Sequence, residues 1–190
     1  MRSIYILSVF LLYSACSQPS EYEQWVDKEL KEGPTIDSLF MGYYFGMPQD
    51  EFYNHSWELN KQKLVRHGSG NQTIRKEVDA LKEPAAMNFY PGFDEGEIHQ
   101  MRVVYNYKGW APWNKDLWAD SLKKDVINYY EDNLGVNFRT IKDPSGKNRT
   151  INITGNREIE ISASGNEVVV VMYRDLRYES NLNRFEAKEN

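Results

Sequence analysis

The sequence predicts an α+β fold: a helix followed by an antiparallel β-meander, an order repeated twice, with the helices packed on one face of the sheet. Some segments place apolar residues at intervals of three and four, which is typical of helices, whereas others alternate or form short apolar runs, which is typical of strands. Short turns rich in glycine, proline and asparagine connect the strands directly, and such connections join antiparallel neighbours.

In the first half of the chain, two predicted helices precede four strands. The first helix begins at Glu21 after a polar spacer and ends before Gly33 and Pro34, a pair that commonly terminates helices. The second begins at Pro48, a residue suited to the first helical turn, and ends near Asn60. Alternation then predicts strands over residues 63–67, 73–78, 87–90 and 97–107.

The second half opens with the longest predicted helix, over residues 112–134. Trp118, Leu122 and Val126 recur at intervals of four, which gives this helix an apolar face. Four strands follow, separated by turns that contain glycine: residues 136–141, 150–154, 158–163 and 167–173.

These elements predict one α+β domain behind an export segment. A chain of 190 residues suits one domain, or two small modules that share a core. The predicted boundaries are a signal peptide (residues 1–15), a lipid-anchored spacer (16–20), the α+β domain (21–176), which can be divided into halves at about 36–109 and 112–176, and a polar tail (177–190).

The N-terminal segment has the features of a secretory signal peptide. Arg2 is the only charged residue before Glu21, and the run from Ile4 to Tyr13 is apolar or aromatic except for Ser8. A helix needs about 20 apolar residues to cross a bilayer, so this run is too short to do so. We therefore expect the chain to be exported.

The residues around the sole cysteine resemble the lipobox of bacterial lipoproteins. In Leu12-Tyr13-Ser14-Ala15-Cys16, small residues precede the cysteine as in that family, whereas Tyr13 stands where the family prefers an aliphatic residue. The resemblance implies that the signal is cut before Cys16 and that the thiol carries a diacylglycerol anchor, which places the protein on the outer membrane of a Gram-negative bacterium, facing either the periplasm or the surface. The alternative is an ordinary signal peptide with an incidental cysteine.

The charge balance argues against nucleic acid as a partner. The chain has 23 Lys and Arg against 28 Asp and Glu, a net charge of −5. Removal of residues 1–15 takes away only Arg2, which leaves 22 against 28, or −6. Nucleic-acid-binding domains generally carry a basic face, and binding to a membrane surface through charge needs clustered cations.

A second resemblance is carried by the segment that opens the second helix. Gly46, Met47 and Glu51, with Phe52 in an aliphatic position, are similar to the helix start of small envelope lipoproteins of the BamE type. The Gly-x-Pro segment that follows in that family is absent here. Tandem units of this kind resemble the β-lactamase-inhibitor-protein fold, which implies two αβ modules that present a curved aromatic sheet to a partner.

We predict no catalytic, metal or cofactor site. His55, His67 and His99 do not lie at a metal-ligand spacing, and no second cysteine is present. The nucleophile-elbow, phosphate-loop and dinucleotide motifs are all absent from the sequence. Two carboxylates could still meet in a cleft, as in glycosidases, so a hydrolase acting on envelope polymers or glycans remains an alternative.

The strongest candidate for a recognition surface lies at the junction of the two halves. Tyr105 and Tyr107 share one strand face, and Trp110 and Trp113 flank a turn, so that four aromatic residues lie within nine positions. Such a cluster can stack on a sugar or fill a pocket of a protein partner. The alternative is a set of aromatic side chains that seal the junction.

The sequence as a whole predicts a membrane-anchored envelope lipoprotein whose domain binds a partner or assists envelope assembly without catalysis. The partner would be a protein or a glycan, with the membrane contacted through the lipid on Cys16. An inhibitor-like module for one enzyme is a further alternative.

Cys16→Ser is expected to abolish metabolic labelling with acyl chains and partitioning into the detergent phase, because the thiol is the site of acylation. Ser17→Ala, which leaves the thiol in place, is the matched control and should label as the wild type does. A Cys16→Ser protein that still labels and partitions would contradict the anchor.

Overall fold

The computed structural model describes residues 19–68, 73–143 and 146–178. These residues form three α-helices, one 3-10 helix and a single eight-stranded antiparallel sheet, which confirms the predicted α+β class. The elements are α1 (Glu21–Glu32), α2 (Gln49–Lys61), β1 (Arg66–His67), β2 (Ile74–Val78), β3 (Ala85–Asp94), β4 (Glu97–Tyr107), the 3-10 helix (Lys115–Leu117), α3 (Ala119–Leu134), β5 (Arg139–Lys142), β6 (Asn148–Thr154), β7 (Arg157–Ser164) and β8 (Val168–Asp175).

The strands lie in the order β1-β2-β3-β4-β8-β7-β6-β5. Strands β1 to β4 form one meander and β5 to β8 form another, because consecutive strands pair through short turns. The two meanders join where β4 pairs with β8, from Gln100 opposite Arg174 to Asn106 opposite Val168. Both halves of the chain therefore share one continuous sheet.

Helix α3 packs on the face of the sheet that carries the main core. Leu122 and Val126 are fully buried and face the strands around the junction, mainly β7, β8 and β4. Ile159, Ile161 and Val171 point to the same side and belong to the same hydrophobic cluster. Burial of each such side chain stabilises the fold by about 1.5–3 kcal/mol.

Helix α1 packs on the opposite face, which differs from the prediction that the helices share one face. Ile151 lies opposite Glu160 in the sheet, so it points away from the side that carries Ile159 and Ile161. Ile151 and Ile153 form a second, smaller core against α1. Its partly buried members on the helix are Tyr22, Trp25, Val26 and Leu30.

Several boundaries differ from prediction for local reasons. α3 begins at Ala119 rather than Pro112, because Trp118 has an extended backbone. The 63–67 strand shortens to β1 because Lys63 adopts φ +60° directly after α2. β3 extends past Pro91, where it pairs with β4 alone, because β2 begins opposite Phe89 and leaves the other side of the proline without a partner strand. The bounds of β4 match the predicted 97–107.

The export and anchoring predictions fall on residues that the structure does not cover. The predicted signal peptide and Cys16 lie outside the described residues, as do residues 179–190 of the predicted tail. Within the described ranges, no helix combines the length and apolar character that a membrane span requires.

The turn between β6 and β7 fixes the segment that follows α1. Gly155 has φ +57°, and a Cβ placed on it would lie 1.6 Å from the carbonyl oxygen of Pro34. The Gly155 N–H donates to Glu29 Oε2 at 2.8 Å, and Asn156 Oδ1 accepts from the Ile36 N–H at 2.6 Å. This close approach is open only to glycine.

Gly155→Ala is expected to destabilise the domain well beyond Gly165→Ala. Both glycines are left-handed, with φ of +57° and +65°, but the space around Gly165 is open. The left-handed backbone costs each variant about 1–2 kcal/mol, and the collision with Pro34 adds about 1–3 kcal/mol at Gly155 alone. Urea unfolding followed by tryptophan fluorescence measures both, and equal losses would contradict the close contact.

Candidate functional site

The structure does not bring the four predicted contact residues onto one surface. Tyr105 and Tyr107 are 1% and 5% exposed, whereas Trp110 and Trp113 are 38% and 85% exposed. The hydroxyl of Tyr105 lies 3.1 Å from that of Tyr130. The two tyrosines are therefore core residues, and only the tryptophans remain available to a partner.

The burial of Tyr105 and Tyr107 follows from the alternation of β4. Met101, Val103, Tyr105 and Tyr107 occupy every second position and are all buried on the face that meets α3. The Tyr107 hydroxyl donates to Asp125 Oδ2 on that helix at 2.5 Å. Burial, this hydrogen bond and the nearby carboxylates raise the pKa of Tyr107 well above 10.

A small cavity lies beside this tyrosine cluster, between α3 and the segment that precedes α2. It has a volume of about 190 Å³, and its lining includes Leu39, Phe40, Tyr105, Tyr130 and Tyr173. Burial raises the pKa of all three tyrosines, so their hydroxyls stay neutral. The cavity is smaller than most ligand sites, which span about 300–1,000 Å³.

A larger groove lies between α2 and the edge of the sheet formed by β1 and β2, and we call it the aromatic groove. Its volume is about 360 Å³. Tyr53 and Trp57 stand one helical turn apart on α2 and are 47% and 62% exposed. The remaining lining residues are Phe52, Ser56, Asn60, Val65, Arg66, His67, Thr73, Ile74 and Tyr90.

The aromatic rings of the groove are held in place by one another. Phe52 is fully buried and meets Tyr53 and Tyr90 edge to face, with ring centroids 5.5 and 5.8 Å apart. The hydroxyls of Tyr53 and Tyr90 are 2.8 Å apart. Gln49 also donates to the Tyr53 oxygen, at 3.3 Å. The groove therefore presents a preformed wall rather than loose side chains.

The contact between the two hydroxyls shifts the pKa values of Tyr53 and Tyr90 in opposite directions. Burial and the hydrogen bond to Tyr53 raise the pKa of Tyr90 to about 12. The hydrogen bonds that the Tyr53 oxygen accepts from Tyr90 and Gln49 lower the pKa of Tyr53.

The carboxylates of Glu158 and Glu160 serve a structural role. Glu158 and Glu160 lie on the face under α1, where each is bridged by Arg149 and Arg174 at 2.5–3.1 Å. The Tyr22 hydroxyl donates to Glu158 at 2.5 Å and covers the cluster. Although burial acts against it, the arginines keep the pKa of Glu160 below its ordinary value. Each carboxylate is thus committed to arginine.

The three histidines lie apart. His55 bonds the carbonyl of Met41, His67 stands at the groove and bonds the carbonyl of Gly68, and His99 stacks on Tyr178. Among the residues that the structure covers, no three His, Cys, Asp or Glu side chains cluster as a metal site would require.

Comparison with known proteins gives no relative. No protein-family model, curated protein or solved structure matches the chain. The site must therefore be judged on its own geometry.

The groove could not be recognised from the sequence. Tyr53 and Trp57 fall on the predicted apolar side of α2, together with Phe52 and Leu59, but only Phe52 and Leu59 are buried. Tyr53 and Trp57 instead face the groove beside the two-residue edge strand β1, where they stay exposed. The i, i+4 aromatic pair is the only local signal, and it is equally typical of a core.

Tyr53→Phe is expected to lower the pKa of Tyr90 from about 12 towards 10, because the mutation removes the hydrogen bond and the negative charge beside it. Burial alone should keep the value above 10. NMR titration of tyrosines labelled at Cζ measures the shift. Tyr44→Phe is the matched control, since Tyr44 bonds Glu51 at 2.9 Å outside the groove. An unchanged Tyr90 titration would contradict the hydroxyl pair.

Proposed function

We propose that this protein is an envelope lipoprotein, anchored to the outer membrane through Cys16, whose domain binds a neutral glycan without catalysis. The aromatic groove is the proposed binding site. The observation that carries the proposal is the preformed pair of Tyr53 and Tyr90, which lies beside the exposed ring of Trp57 and polar side chains.

The chemistry of the groove matches that of a sugar. Pyranose rings have an apolar face that packs on an aromatic ring, and their hydroxyls need donors and acceptors at its border. Trp57 and Tyr53 supply the rings, and the polar residues Asn60 and Thr73 also line the groove, although the Asn60 amide N–H already donates to the Val65 carbonyl at 3.2 Å. The volume of about 360 Å³ falls within the range of ligand sites, about 300–1,000 Å³.

The charges at the groove favour a neutral ligand. Arg66 is ion-paired with Glu77. Lys61, whose ammonium lies 5.8 Å from the Trp57 ring, is bonded to Glu58 at 2.7 Å. Arg66 and Lys61 therefore each have a carboxylate partner with which an anionic ligand would have to compete, although Glu77 also pairs with Arg75 and Lys108.

We also propose that the domain consists of two related units, each a helix followed by a four-stranded meander. α2 precedes β1 to β4, and α3 precedes β5 to β8. Each meander contributes its last strand to the central pair. This order supports the resemblance to tandem αβ modules, in which a sheet is built from two such units.

Trp57→Ala is expected to weaken binding of chitotetraose, a neutral oligosaccharide, by about tenfold or more, since truncation of an aromatic anchor typically costs about 2 kcal/mol. Isothermal titration calorimetry on the detergent-solubilised protein measures the affinity. Trp57 is 62% exposed, so the mutation should leave the unfolding free energy nearly unchanged.

Trp113→Ala is the matched control, because Trp113 is 85% exposed but lies outside the groove. It should bind chitotetraose as the wild type does. Equal losses in the two variants would remove the groove from the proposal. Failure of the wild type to bind chitotetraose, maltotetraose and other neutral oligosaccharides would contradict glycan binding altogether.

A further inference from the structure

The segment between β4 and α3 presents two tryptophans to solvent, and we call residues 109–114 the tryptophan loop. Trp113 is 85% exposed, the highest value among the exposed large apolar residues, and Trp110 is 38% exposed. Gly109 and Pro112 are exposed as well. An apolar tip of this kind is costly in water unless something covers it.

The loop is held in a fixed shape. The Ala111 carbonyl accepts from the Asn114 N–H at 3.1 Å and from the Trp118 indole at 3.3 Å. At the other side, the Lys108 N–H donates to the Pro84 carbonyl at 2.8 Å, and its ammonium bonds Glu77 at 2.9 Å. Trp110 and Trp113 are thus presented by a closed turn on a rigid sheet.

The loop lies at the end of the sheet where β4 ends and β8 begins. β4 ends next to the start of β8, where Asn106 pairs with Val168, and the Ala119 N–H bonds Asn166 in the β7–β8 turn. The start of β6 reaches the same end, because Thr150 pairs with Ile161 near the end of β7.

Helix α1 runs along β6 with its first turn at this end. Its last turn bonds the far end of β6, through Glu29 and Gly155. Near its start, Tyr22 lies under the guanidinium of Arg149, at the beginning of β6, with 5.0 Å between guanidinium carbon and ring centre. The Tyr22 hydroxyl also reaches Glu158, which pairs with Ile153 of β6, so the first turn of α1 lies over the middle of the sheet. The N-terminus of α1, capped by Ser20, therefore points towards the end that carries the tryptophan loop.

These positions limit how far the anchor can lie from the N-terminus of α1. Three residues lie between Cys16 and Ser20, and the four Cα–Cα steps that join them span at most about 14 Å in any conformation. Three strand spacings separate β6 from β4, or about 14 Å across the sheet. An anchor at Cys16 would therefore attach the domain from the side of this end.

We propose that the tryptophan loop inserts Trp110 and Trp113 into the interfacial layer of the membrane and so fixes the orientation of the domain. The inference rests on the proposed anchor at Cys16. Tryptophan favours the interface, because its ring is apolar and its indole N–H binds polar groups there. Insertion supplies the cover that the exposed apolar tip lacks in water.

The contact depends on the aromatic rings rather than on charge. Lys108, Lys115 and Lys147 stand at this end, but so do Asp116 and Glu167, and all five are exposed. With a net charge of −5 for the chain, attraction to anionic lipid is not expected to drive insertion. The loop therefore requires only the interfacial layer of the membrane, and a bilayer of zwitterionic lipid is sufficient for insertion.

The test uses the full chain labelled with 5-fluorotryptophan, purified from the membrane fraction and incorporated into phosphatidylcholine nanodiscs with or without a doxyl-labelled lipid. The fluorine resonances are assigned by single Trp→Phe variants. The Trp110 and Trp113 resonances are expected to broaden severalfold with the doxyl lipid, also at high salt. Trp57, 62% exposed but on α2, is the internal control and should stay sharp.

Two failures are distinguishable. If the protein enters the nanodiscs but Trp110 and Trp113 stay as sharp as Trp57, the loop does not contact lipid, and the inference is overturned while the anchor stands. If the chain does not enter the nanodiscs at all, the anchor and the inference fall together. Broadening of all three resonances alike would also overturn the inference, since it would indicate contact without orientation.

Discussion

The antiparallel pairing of β4 with β8 is the constraint on which the rest of the structure depends. It joins residues about 70 positions apart, from Gln100 with Arg174 to Asn106 with Val168. Without it, each meander would have an open inner edge and half a core. With it, α3 can pack across β7, β8 and β4, and its Leu122 and Val126 are fully buried. The tyrosine cluster exists for the same reason, because Tyr105 and Tyr173 come from the two paired strands and Tyr130 covers them from α3.

Sequence periodicity predicted where the helices and strands lie better than it predicted which of their residues are buried. The bounds of β4 match, and Gly135 ends α3 in the left-handed conformation, with φ +64°. The side on which residues are buried was harder to predict. Tyr105 and Tyr107 were assigned to a surface, although they continue the alternation of Met101 and Val103. That continuity was the available signal, because a phenol beside aliphatic residues of the same face usually points into the core.

Features that depend on non-local contacts were not predictable. The position of α1 depends on Arg149 and Arg139, which lie over the rings of Tyr22 and Trp25 at 5.0 and 4.7 Å. Nothing in the helix itself indicates which sheet face offers these cations. The aromatic groove likewise needs the edge strand β1 across from Tyr53, and a two-residue strand leaves almost no periodic trace. The geometry of the folded sheet thus determines both the position of α1 and the aromatic groove.

The rigid sheet links the proposed membrane contact to the proposed glycan site. Tyr90 of the groove lies five residues along β3 from Ala85, which pairs with Tyr107 next to the tryptophan loop. Five residues of strand span about 17 Å, so an insertion at the loop holds the groove clear of the headgroups. A flexible tether alone would let the domain tumble and the groove face the bilayer. Two contacts at one end, a lipid and a pair of aromatic rings, are what a fixed outward orientation requires.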